Sequence, residues 1–108
     1  MQTLVQGWTE RIRTQLFADG AAFDLTGYST SPASVEMLLY NRSKLLVTPT
    51  GISGIDTASA GIVYFDPASD DLLAAMSPYY VRWKVTDSFG KMVFFPNGNP
   101  EVWNVQQP

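Results

Sequence analysis

The chain has 108 residues, 45% apolar and 16% charged, with a formal net charge of −3 and neither cysteine nor histidine. That length holds one core, and the scarcity of charge with 13% aromatics argues for a packed domain rather than disorder. The acidic balance excludes a nucleic-acid backbone as partner, and the missing Cys and His exclude disulfides, thiolate nucleophiles, imidazole acid–base chemistry and the usual zinc sites.

Residues 1–9 precede the first convincing strand and read as an N-terminal arm, with residues 10–108 as a single sandwich domain. The arm carries Leu4, Val5 and Trp8. It either adds to a neighbour's sheet edge or pocket, or supplies an extra strand to its own sandwich. It lacks the charged start and apolar run of a secretory signal, and no stretch reaches the roughly 18–20 apolar residues of a membrane span. Synthesis in the cytoplasm and no membrane contact are therefore expected.

From Arg11 to Phe17, Ile12, Thr14 and Leu16 alternate with Arg11, Arg13 and Gln15, the period of a half-buried strand. Asp19-Gly20 predicts a tight turn, after which Phe23 and Leu25 resume the alternation until Gly27. Residues 29–34 read as a loop. Val35 to Arg42 predicts a strand with Val35, Met37 and Leu39 on one face, and residues 44–49 pair back across the turn at Asn41 to Ser43. Ile52 and Ile55 suggest a short strand, and Gly61 opens the apolar run Gly61 to Phe65. Between Asp66 and Pro78 one short helical turn is expected, with Ser69 as its cap.

The last third is the clearest. Tyr79, Val81, Trp83 and Val85 alternate with Tyr80, Arg82, Lys84 and Thr86, Asp87 to Gly90 makes a turn, and Lys91 to Phe95 returns. A turn at residues 96–100 leads to a last strand, Glu101 to Gln106. Seven to eight short strands with regular turns predict an all-β, antiparallel β-sandwich. The expected inward set is Ile12, Leu16, Leu25, Val35, Met37, Leu39, Ile62, Tyr64, Val81, Trp83, Val85 and Val93.

No catalytic, cofactor-binding or metal-binding residues are expected. Most carboxylates fall in turns, where Asp bonds its own following amides. Asp66, Asp70 and Asp71 lack the alternate spacing and closing Glu of a calcium loop. The close basic pairs, Arg11/Arg13 and Arg82/Lys84, each decorate one solvated strand face. Trp83 belongs to the core, whereas Trp8 and Trp103, near the termini, join Leu4 and Val5 as candidate partner contacts.

The order GWTERIRTQLFADGAAFDLTGYS, GIVYF and YYVRWKVTDSFGKMVFFPN resembles the immunoglobulin-like N-terminal domain of the siphophage baseplate upper protein family. The shared features fall on Asp19-Gly20, Asp24 to Gly27, Gly61, Tyr79 or Tyr80, Val85 to Asp87, Gly90-Lys91 and Pro96. The resemblance implies a bacteriophage virion protein with no enzymatic activity and no catalytic residues. Family members commonly continue into further domains, and this chain stops at Pro108, so an accessory part on a capsid, tail or baseplate is expected. Its partners would then be other phage structural proteins, in several copies and as a homo-oligomer, and its location the virion. The alternative is a receptor- or glycan-binding module, with Trp8, Trp103, Tyr28 and Tyr40 as candidates for its aromatic platform.

Overall fold

A computed structural model describes residues 2–29, 34–96 and 98–108 of the chain. The expected loop at 29–34 lies mostly outside the described residues, as does position 97 of the expected turn at 96–100. The described residues form eleven strands: β1 (Gln2–Val5), β2 (Ile12–Gln15), β3 (Phe17–Ala18), β4 (Ala21–Ala22), β5 (Val35–Tyr40), β6 (Leu46–Val47), β7 (Ile52–Thr57), β8 (Ile62–Asp66), β9 (Tyr79–Thr86), β10 (Met92–Phe95) and β11 (Glu101–Gln106). The fold is all-β, as the two-residue periodicity predicts.

A larger sheet runs β1-β11-β9-β5-β6, with β10 also on β9, and a smaller sheet runs β2-β8-β7. β9 organises the larger sheet. Its central six residues, Tyr80 to Val85, pair with β5 on one flank. The other flank is shared: Thr86 to Trp83 pairs with β10, and Val81 to Tyr79 pairs with β11. Phe95 thus faces Trp83 and Glu101 faces Val81, with Arg82 between the two pairings on β9.

The core lies between the two sheets. Val35, Met37, Leu39, Val81, Trp83 and Val85 close it from the larger sheet, and Ile12, Val63 and Phe65 from the smaller one. Leu25 and Leu72, from connections, fill the remaining space. Phe65 stacks against Trp103 across the sandwich at 6.3 Å between ring centroids. Burial of this many aromatic and branched side chains is the main force holding a chain without disulfides.

Several expectations change in three dimensions. Residues 2–5 form β1, which pairs in parallel with β11 from Gln2↔Trp103 to Val5↔Gln106, so the larger sheet is mixed rather than purely antiparallel. The strand count rises because β1 joins the larger sheet and the Asp19-Gly20 turn carries the short strand pair β3 and β4. In β8, Val63 and Phe65 point inward and Ile62 and Tyr64 do not. Both phases of that run are apolar, and the phase is decided by pairing: Phe65 lies opposite the buried Ile12. Val93 shares the inward face with Val85 but is 48% exposed. The cap expected at Ser69 is absent. A single 3-10 turn forms later, at Ala74–Met76, and a second at Ala58–Ala60. Phe23 and Leu25 lie beyond the short hairpin β3–β4, where Asp19 and Gly20 both adopt positive φ.

Candidate functional site

The candidate contact residues from the two ends do not form one surface. Leu4 is 2% exposed and Trp103 fully buried, so both belong to the core. The indole N–H of Trp103 donates to Glu101 Oε2 at 2.8 Å. Trp8 packs partly buried against the core, and its Nε1 donates to the Glu10 carbonyl at 3.0 Å. Val5 alone of the four is largely open to solvent. The aromatic platform expected from Trp8, Trp103, Tyr28 and Tyr40 is likewise dispersed, since Trp103 points inward and Tyr28 packs on Phe23.

Three solvent-facing features are built by the strands. On the outer face of the smaller sheet, β2 is flanked by Arg11 and carries Arg13. Arg11 makes a two-pronged contact with Asp66, Nε to Oδ1 at 2.8 Å and Nη2 to Oδ2 at 2.9 Å. Arg13 Nε reaches Asp56 Oδ2 at 3.0 Å, which also accepts from Arg11 Nη1 at 3.3 Å. The Arg11 guanidinium lies 3.7 Å from the centroid of the outward-facing Tyr64 ring, a cation–π contact added to the ion pairs. The Arg11 contact holds the Asp66 carboxyl below the usual range and raises the guanidinium's own pKa. The Asp56 carboxyl is lowered first by the Thr57 hydroxyl and then by the two arginines. These side chains satisfy one another, so the cluster is a clamp across β2, β8 and β7.

Asp71 shows the same local logic inside the protein. Its carboxylate accepts backbone N–H groups from Thr50, Gly51 and Ala68, each at 2.8 Å. With Asp66 on Arg11 and Asp71 on backbone amides, the acidic cluster of the sequence is split between two tasks. Among the described residues, no three side chains of ligating type gather as a metal site.

The second feature is a groove of about 410 Å3 on the outer face of the larger sheet. Tyr40 on β5, Tyr80 on β9 and Val102 on β11 stand in register across its floor. Lys44 closes one side, its Nζ 5.6 Å from the Tyr80 ring centroid. Arg82 supports the other: Nη1 donates to the Pro96 carbonyl at 2.8 Å and Nη2 to the Gly98 carbonyl at 2.7 Å. These bonds tether Pro96 and Gly98 to β9, and Asn99 and Pro100 wall the groove. Sequence alternation places Tyr80 outward, but only strand register brings it beside Tyr40 and across from a loop wall.

The third feature is the β9–β10 hairpin. Phe89 at its tip is 87% exposed, and Met92, Val93 and Phe94 are all exposed along β10. Among the described residues β10 pairs only with β9. The hairpin therefore offers an unpaired backbone edge with apolar groups on both faces. No described helix is long and apolar enough to cross a membrane. Comparison of the chain with protein-family models, with curated proteins and with solved structures gives no match.

Proposed function

We propose that this chain is a non-enzymatic structural module of a bacteriophage particle, an accessory β-sandwich that docks onto a neighbouring capsid, tail or baseplate protein through the open edge of β10. One observation carries the docking edge: Met92, Val93 and Phe94 of β10 are exposed on both faces, and among the described residues β10 pairs with β9 alone. A long open apolar edge is normally blunted by charge, proline or a covering segment, and a strand added from a neighbour satisfies both its backbone groups and its side chains. The virion setting rests on the ordered motif resemblance from Asp19-Gly20 to Pro96.

The experiment combines particle composition with an edge substitution. In a phage that carries the gene, purified particles should contain the chain in a fixed copy number by quantitative mass spectrometry. Val93→Lys places a charge on a half-exposed edge residue, so its melting should stay within about 1 kcal/mol of the parent, yet the chain should drop out of particles. Retention at the parent copy number removes β10 as the docking edge. Absence of the parent chain from particles removes the virion reading itself.

A further inference from the structure

The groove over Tyr40 and Tyr80 is separate from the β10 edge and has the make-up of a ligand site. Its volume, about 410 Å3, falls in the roughly 300–1,000 Å3 range of small-molecule sites. Its floor is apolar and aromatic, and its charged lining residues are the cations Lys44 and Arg82, with no carboxylate among them. In a chain of net charge −3, this is a local reversal of sign.

Lys44 adds an independent observation. It adopts φ 61, one of two non-glycine residues in the left-handed region among those described. That conformation is disfavoured for any side chain, and it is held by Asn41, whose Oδ1 accepts from Ser43 N at 2.9 Å and from Leu45 N at 3.2 Å. A glycine would fit the turn without strain. Instead a lysine stands there with its ammonium over the Tyr80 ring. Strained residues at a cleft point to use of the side chain.

We propose that this groove binds an acidic saccharide, the apolar face of a carboxylated pyranose lying on the tyrosines and its carboxylate held by Lys44. Tyrosine serves such a ligand twice, with an apolar ring and a hydroxyl. The groove crosses the sheet face between Tyr40, Tyr80 and Val102 rather than following an edge, so it offers an extended peptide no backbone ladder. Two cations are too few for a polynucleotide, which needs several phosphates neutralised.

The test is titration of the full chain, followed by NMR of backbone amides, with 3′-sialyllactose, a galacturonate trisaccharide, its fully methyl-esterified twin, and an oligothymidylate. At least one acidic saccharide should shift Tyr40, Tyr80 and Val102, and the neutral twin or lactose should bind about tenfold more weakly, the loss expected for one charged hydrogen bond. Lys44→Gly should melt no lower than the parent, because strain is relieved, and should show the same loss of affinity. Absence of groove shifts with both acidic saccharides overturns the proposal. So does equal binding of the ester, undiminished binding by Lys44→Gly, or preference for the oligothymidylate.

Discussion

Asp71 accepts three backbone N–H groups drawn from two connections, residues 50–51 and residue 68. It thereby joins the β6–β7 link to the β8–β9 link at a buried point. Asp71→Asn keeps the shape, but its amide NH2 must face at least one of those donors. The expected loss is about 1–3 kcal/mol in denaturant melting, the range for a buried group left unpaired; an unchanged midpoint would show that the clamp is dispensable. Trp83 is fully buried between the sheets, and its Nε1 finds no hydrogen-bond partner among the described residues. Trp83→Ala should lower stability by about 3–5 kcal/mol, and a loss below about 1 kcal/mol would contradict its place in the core. At the hairpin, Asp87 Oδ1 accepts from Phe89 N and Lys91 N, and Gly90 closes the turn at φ 81 with open space around it. The strain of a side chain there is purely backbone, so Gly90→Val should melt clearly below Ser88→Val, by about 1–2 kcal/mol. Equal effects would refute the left-handed turn.

At the scale of elements, β1 decides how the N-terminal segment behaves. Its backbone pairs with β11, Gln6 N continues the ladder to the Gln106 carbonyl at 2.8 Å, and Gln6 Oε1 accepts from Ala74 N at 2.9 Å. Leu4 enters the core while Val5 stays exposed. Leu4→Ala should therefore cost about 2–5 kcal/mol, and Val5→Ala within about 0.5 kcal/mol. Deleting residues 1–9 should reduce stability by more than the single substitution. A truncated domain that melts with the parent would mean that β1 contributes nothing to the fold. Phase alone does not bury Val93, which sits opposite the buried Val85 with the inward phase and is still 48% exposed.

For the whole molecule, the carboxylates of the clamp on the smaller sheet contribute, together with Asp24, to the acid limb of stability. Asp56 and Asp66 have lowered folded pKa values, so between those values and the ordinary Asp value of about 3.9 the unfolded chain binds more protons. Their contribution is present above pH of about 4 and is lost as pH falls through the lowered folded values. Urea midpoints should drop on acidification below that point, and Asp66→Asn should flatten the drop. An identical pH slope in parent and variant would place the acid sensitivity elsewhere.

Period-two alternation in residues 35–40 and 79–86 was enough to identify β5 and β9 and their buried faces, because each has one apolar and one more polar phase. The turns at Asp19-Gly20 and Asp87 to Gly90 were legible for a similar reason: few residues tolerate positive φ. The inward phase of β8 was not, since Ile62, Val63, Tyr64 and Phe65 are apolar in both phases and only pairing with Ile12 distinguishes them. Nor was the place of residues 2–5, whose partner β11 lies a whole chain length away in sequence. The groove depends on three long-range pairings at once, β5 on β9, β9 on β11, and Arg82 on the Pro96 and Gly98 carbonyls. Local sequence determined which residues form strands and turns, because propensity and alternation act over a few residues. Which strand ends go uncovered, and which outward side chains meet, was decided by tertiary pairing, since it joins residues that no local pattern links.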